Sequence, residues 1–394
     1  MEKSIKNIIL IADDYPSKEH QSFVFVEQLV NAMVDLGVNV TVIAPQSITR
    51  NIIRRIKPSP KTSTRITSKG NKYTLHRPYF ISTGNHLRLL QPILSNIKKN
   101  GILNIIQGYK EVDAVYCHFW HNALPVYKYT AKNNIPLFVA CGEGDDALEN
   151  LNKDLSSKAH EDLHDAMTGV ISVSSENKRK SIAYNLIDEK DVEVYPNCVN
   201  TDIFAPTDAS ELKKELGIED DDFTIAFVGG FIHRKGSKRL SDAITSLNDK
   251  HIKSIFIGKP FANDCAEPDC SGIVFKGSVE HSDIPQYLNC ADIFVLPTLK
   301  EGCCNAIVEA LASCKPVISS NGSFNDDILN YNNSLRVDPM SINEIAVAIK
   351  TLKDSPAIRE RMINHLKSYR VNYSIEGRAQ NIINFINRQI NKKH

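Results

Sequence analysis

Apolar residues recur along this chain in two alternating rhythms. Short unbroken runs, "NIILIA" at 7–12, "VNVTVIAP" at 38–45, "AVYCH" at 114–118, "LFVAC" at 137–141 and "GVISVSS" at 169–175, have the length and β-branched content of strands buried on both faces. Between the first two, Phe23 to Leu36 carries helical spacing and stops at Gly37. Strand, helix, strand in that order predicts a parallel sheet wrapped by helices. The rhythm restarts at "FTIAFVGG", 223–230, followed by a helix marked by Leu240, Ile244 and Leu247, then by "SIFIGKP", "GIVFKGSV" and "ADIFVLPT". A chain of 394 residues with two such series predicts an α/β protein of two domains, 1–200 and 201–372. A last amphipathic helix, 373–394, has Ile375, Ala379, Ile382, Ile383, Phe385, Ile386 and Ile390 on one side.

The segment from Ser47 to Lys99 breaks the pattern. It is rich in Ser, Thr and Pro and reads as variable surface, with "NHLRLLQPILSNIKK" an amphipathic helix interrupted by Pro92. Between Asp35 and Glu111 there is no acidic residue, against 13 Lys and Arg. Such a face is either merely solvated or drawn to anionic lipid headgroups or a pyrophosphate-bearing lipid acceptor. Over the whole chain 47 basic and 46 acidic residues leave a net charge of +1, which argues against a nucleic-acid binder. The nine Cys are an odd number with no Cys-x-x-Cys; Cys265 and Cys270 with Cys303 and Cys304 suit no standard zinc spacing, so reduced thiols and no metal are expected. No run approaches a transmembrane helix and the start lacks a signal-peptide pattern, so a cytoplasmic protein is expected.

Chemistry concentrates in "LPTLKEGCCNAIVEALASCKPVISS", 296–320. Glu301 precedes Gly302, Cys303 and Cys304, a helix begins at about Asn305, which is able to cap it, and Glu309 falls one turn inside. Unpaired N–H groups at a helix start suit a phosphate, whereas two carboxylates beside it suit the hydroxyls of a polyhydroxylated ligand. Together they describe a nucleotide sugar. Gly229 and Gly230 end a strand and are followed by Arg234, Lys235 and Gly236, a phosphate-binding arrangement in type; without G-x-G-x-x-G a dinucleotide cofactor is disfavoured. In the first half, His118 with Trp120 and His121 ends one strand and "CGEGDD", 141–146, ends the next, so polar groups gather on one sheet edge. His118 alone reads equally as a satisfied core histidine.

The 296–320 run resembles the two-glutamate signature of retaining GT-B glycosyltransferases of family four, and the likeness extends over nearly the whole chain, strongest from Val228 to Ser319. That resemblance implies two Rossmann-like domains facing a cleft, with the C-terminal helix crossing back to the first. It implies a donor site of Gly229, Gly230, Arg234, Lys235, Thr298, Glu301, Gly302, Cys303, Cys304, Asn305 and Glu309, and an acceptor side of Ser22, His118, Trp120, Gly142 and Asp145. Catalysis would rest on Glu301, Lys235, Arg234 and His118. The partners implied are a nucleotide-sugar donor and a glycan or lipid-linked acceptor, in cell-surface polysaccharide biosynthesis, with no metal and with an anionic membrane surface as a peripheral partner. The chain departs from the family at Cys141 for His, Cys198 for Gly, Asn200 for Asp and Gly230 for Arg, and the first sheet's leading loop lacks glycine. Those departures keep open a catalytically degenerate sugar-binding or scaffold subunit. A nucleotide-sugar epimerase or a phosphorylase is the other enzymatic reading of the fold.

Overall fold

The computed structural model describes residues 4–17, 22–82 and 91–392, and at 91 and 145 the backbone alone. It divides into two compact units, one made of the chain up to Tyr195 together with the residues from Arg378 on, the other of Pro196–Gly377. In the first unit the strands are β1 (Asn7–Ile11), β2 (Asn39–Ile43), β3 (Gln46–Ser47), β4 (Thr62–Ile66), β5 (Lys72–His76), β6 (Tyr79–Phe80), β7 (Ala114–His118), β8 (Leu137–Cys141), β9 (Met167–Ser172) and β10 (Val192–Val194). Eight of them form one sheet in the order β10-β9-β8-β7-β1-β2-β5-β4, parallel except for β4, while β3 and β6 pair apart. Every residue of β7, β8 and β9 is buried, as their continuous apolar runs require.

In the second unit β11 (Phe223–Val228), β12 (Ile252–Ile257), β13 (Ile273–Gly277), β14 (Ile293–Leu296), β15 (Val317–Ser320) and β16 (Ser334–Val337) form an all-parallel sheet, ordered β13-β12-β11-β14-β15-β16. Sequence order reverses between β11 and β14, and in the first sheet beside β1. At such switch points the loops leaving adjacent strands diverge and open a crevice at their carboxyl ends.

Several expectations are corrected. The chain leaves the first unit after Tyr195 rather than at 200, because Val199 already bridges Ser374 and is buried in the second core. It returns at Arg378 rather than 373, because Tyr373 belongs to that same core. The basic segment 47–99 is not all surface: β5 extends the sheet from β2 and buries Tyr73 and Leu75. Pro92 lies in the helix Gln91–Gln107, and residues 85–90, on which the expected interruption also rests, lie outside the described residues.

The helix Ile375–Lys392 lays Phe385 against Phe138 and Tyr195, each at 6.2 Å between ring centroids, and buries Ala379, Ile382 and Ile386. Gly169 makes room for it, since a Cβ there would come within 3.0 Å of the Phe385 ring. Among the described residues no helix is long and apolar enough to cross a membrane.

Candidate functional site

Two loops of the second unit carry most of the polar residues singled out in the sequence, one leaving β11 and the other leaving β14. They are neighbours because β11 pairs directly with β14. Gly236 allows their approach: its backbone has φ +79°, and a Cβ would lie 2.5 Å from the Pro297 carbonyl oxygen. Arg239, buried on the helix Ser237–Leu247, ties the loops by donating to the carbonyls of His233 at 2.8 Å, Pro297 at 2.9 Å and Pro339 at 2.7 Å. Sequence reasoning missed Arg239, which lies on a helix whose apolar stripe drew the attention.

Glu301 is the centre of this site. Its Oε1 accepts from the Lys235 ammonium at 2.6 Å, the Thr298 hydroxyl at 2.7 Å and the Arg234 guanidinium at 2.9 Å, which also donates to the Lys300 carbonyl at 2.6 Å. Lys235 reaches the Cys304 sulfur at 3.7 Å as well. Burial opposes charge on Lys235, but Cys304 and Glu301 outweigh it and lift the ammonium above its usual value, while burial pushes the Cys304 thiol up. The cation pair therefore has an anion in the protein itself. A hydroxylated, negatively charged ligand would compete with Glu301 for both cations and could also donate hydroxyls to Glu301.

The helix expected to begin near Asn305 runs over Asn305–Ala312. Its N-cap is Cys304, which makes no side-chain cap bond, so Asn305 does not cap it. Instead the Asn305 side-chain oxygen Oδ1 accepts from the Asn197 side-chain amide at 2.8 Å, and the same Asn197 amide reaches the Cys303 backbone carbonyl at 3.2 Å. Glu309 is buried one turn in and pairs with His281 at 2.9 Å, a partner that no local sequence signal could supply across 28 positions. Burial disfavours the His281 imidazolium, but the Glu309 bond and charge raise it above its usual value. Gly229 and Gly230 form the exit of β11, and Gly302 is half-buried in the Glu301 loop.

In the first unit the predicted acceptor-side residues reach one sheet edge in different roles. His118 is buried with its ring 4.6 Å from Phe119 and 5.3 Å from Phe25; burial pushes its pKa down to about 3, so it is neutral, and among the described residues Nδ1 has no hydrogen-bond partner. Trp120 is corrected from a lining residue to a core one: its ring is buried and its backbone N–H donates to Glu143. Gly142 also donates to Glu143, at 3.0 Å. Ser22 donates to Asp14 at 2.6 Å. Asp145 opens the helix Asp145–Asp154, its side chain lying outside what the structure describes.

Glu143, within "CGEGDD", has no sequence signal that marks it; burial raises its pKa to about 7 against the lowering by those two backbone donors. Asp13, also missed, follows β1 and pairs with His121 and, at 3.5 Å, with Lys98; burial works against its charge, and its interactions with His121 and Lys98 more than offset that. Phe119 between them has φ 82°, ψ 148°, a region almost reserved for glycine, and strain of this kind gathers at functional edges.

All nine Cys are free thiols. Asp221, Asp222 and His251 bring ligand-type atoms within 4.8 Å of one another, but they lie at the amino ends of β11 and β12, opposite the loops above, where Lys253 already balances Asp222 at 3.5 Å.

Residues 23–203 match the family described as Glycosyltransferase Family 4, and residues 208–368 match Glycosyl transferases group 1. Over 357 residues the chain is 26% identical to a Bacillus subtilis (strain 168) protein named for teichuronic acid biosynthesis, the glycosyltransferase TuaC, covering 87% of this chain and 88% of that one. Among solved structures, sucrose-phosphate synthase from Thermosynechococcus elongatus superposes with a TM-score of 0.71 at 16% identity, covering 96% of this chain and 97% of the other. The Anabaena protein HepE in complex with UDP gives 0.68 at 15% identity, over 96% and 98%. At these identities the structural likeness concerns the fold.

Proposed function

The chain belongs to the group 1 glycosyltransferases of family 4 and has their GT-B fold, and from that premise we propose that it moves a sugar with retention from a uridine-diphosphate sugar to a glycan or lipid-linked acceptor. The observation that carries this reading is the single oxygen of Glu301 shared by Lys235, Arg234 and Thr298 at the exits of β11 and β14. The donor's diphosphate takes the two cations, the sugar hydroxyls take Glu301, and the ribose hydroxyls take Glu309 from His281. UDP is favoured because HepE was solved with it, and a surface polysaccharide because of the name TuaC carries.

In this reading the first unit supplies the acceptor. The anomeric C–O bond to the diphosphate breaks, the acceptor oxygen bonds to that carbon from the same face, and its proton passes to the leaving phosphate oxygen. Lys235 and Arg234 stabilise the charge on that oxygen, so the step needs no protein nucleophile and no metal. His118, neutral and buried, shapes the acceptor edge instead of exchanging protons.

Thermal unfolding with UDP-, GDP- and ADP-sugars tests the donor. A ligand at a hundredfold its dissociation constant stabilises by about 2.7 kcal/mol. UDP-sugars should raise the midpoint and be hydrolysed slowly without acceptor; a response to GDP- or ADP-sugars alone overturns the nucleotide, and binding without turnover favours the scaffold reading.

A further inference from the structure

The first unit contains a cavity of about 380 Å³ beside the carboxyl ends of β1 and β2, and the donor chemistry leaves it unused. Its walls are the short helix Ile48–Ile53 and the residues after it. The uncharged polar groups there are bonded to one another. The Gln46 side-chain oxygen Oε1 accepts from the Ser59 N–H at 3.0 Å and the Asn51 side-chain amide at 3.3 Å, its Nε2 donates to the Ser59 carbonyl at 2.7 Å, and the Ser47 hydroxyl accepts from the Arg50 N–H to cap the helix.

The two carboxylates lining it are also matched. Asp13 has Lys98 and His121, and Asp14 has Ser22 and the buried Arg77, at 3.9 Å. What remains is a pair of arginines. Arg50 and Arg54 line the cavity one helical turn apart, both exposed, and among the described residues neither has a carboxylate partner. Like charges at that spacing repel, and an anion brought from outside would relieve them.

The same helix exposes Ile52 by 69% and Ile53 by 81%, flanked by Arg50, Arg54 and Arg55. Adjacent isoleucines in water between arginines are the surface chemistry of a segment that rests on an anionic lipid headgroup layer.

Building on the transferase reading, we propose that this cavity holds the phosphoryl anion, a mono- or diphosphate, of a lipid-borne acceptor. Arg50 and Arg54 bond its oxygens, and Ile52 and Ile53 lie against the lipid that carries it.

Inorganic pyrophosphate is the first probe. In an Arg234→Ala, Lys235→Ala background, which removes both cations of the donor-phosphate site, pyrophosphate should still bind, and adding Arg50→Ala with Arg54→Ala should weaken it by about tenfold or more. Both arginines are exposed, so the fold should tolerate the change, which a melting curve verifies. The second probe separates the sources. Phosphatidylcholine vesicles carrying a polyprenyl diphosphate should retain more protein than vesicles brought to equal surface charge with phosphatidylglycerol. Ile52→Ser with Ile53→Ser should lose this retention while keeping pyrophosphate affinity.

Pyrophosphate affinity unmoved by the arginine pair overturns the cavity as the anion site. Equal retention on the two vesicles overturns the lipid-borne phosphate in favour of a nonspecific anionic surface. Hydrolysis of a UDP-sugar reads the donor chemistry separately: its absence beside an arginine-dependent pyrophosphate site sinks the transferase reading alone, and its presence beside an unmoved affinity sinks this proposal alone.

Discussion

The Lys235 ammonium lies 2.6 Å from Glu301 Oε1, and the Arg234 guanidinium donates to the same oxygen at 2.9 Å. With side-chain exposures of 15% for Lys235 and 11% for Glu301, this pair is largely shielded from water, whereas Arg234 at 44% is screened and contributes less. In the proposed transfer, donor binding would exchange one anion for another at the same cations.

That exchange separates the two residues experimentally. Lys235→Ala should weaken both free nucleotide and nucleotide sugar by about ten- to a hundredfold, the worth of a hydrogen bond to a charged group. Glu301→Gln should keep nucleotide affinity within a few fold, since the cations are left for the phosphates, and should chiefly lower the transfer rate. Calorimetric titration alongside initial rates checks the division, and an equal loss of nucleotide affinity in the two variants contradicts it.

The Glu309–His281 pair has a pH signature. Because His281 is raised in the folded protein above its unfolded value of about 6.5, its contribution to stability is fully present below pH of about 6.5 and is lost as pH rises through the higher folded value. Wild type minus Glu309→Gln should therefore show its largest difference in unfolding free energy on the acid side, shrinking as pH rises through the raised folded value. A difference that grows with pH contradicts the pairing. Nucleotide affinity should also fall in Glu309→Gln if the carboxylate holds ribose.

His118 and Glu143 should show opposite trends at one sheet edge. His118 is lowered to about 3, so the unfolded chain takes up its proton first and stability falls as pH drops below about 6.5. Glu143 is raised to about 7, so its folded form holds the proton more tightly and stability falls as pH rises from about 4.5 through about 7. Denaturant midpoints across pH should show His118→Gln blunting the acid loss and Glu143→Gln blunting the loss toward neutrality; the same trend in both variants would show the assignments to be wrong.

Phe385 anchors the terminal helix, fully buried between Phe138, Tyr195 and Gly169. Phe385→Ala should cost about 3–5 kcal/mol, the usual range for emptying an aromatic site in a core. Urea denaturation measures this, and a loss below about 1 kcal/mol would mean that the helix is not held by that ring.

Local sequence determined the strands, because an unbroken run such as "LFVAC" can be satisfied only by apolar cover on both faces, and it determined the loops that end them. It also placed Lys235 and Glu301 on separate loops with suitable chemistry. What it could not decide was which charges meet. That Glu301 takes Lys235 and Arg234 depends on strand order, which sets β11 beside β14; that Glu309 takes His281, and that Asn305 turns to Asn197 instead of capping its helix, likewise join residues far apart in the chain. The segment 47–99 is the clearest case. Read as a string it is a solvated basic face, yet pairing of β5 with β2 buries part of it and leaves Arg50 and Arg54 lining a cavity. Hydrophobic periodicity is a local property recorded residue by residue. The partner of a charge is set by contacts between residues far apart in the chain, and those exist only once the sheet has assembled.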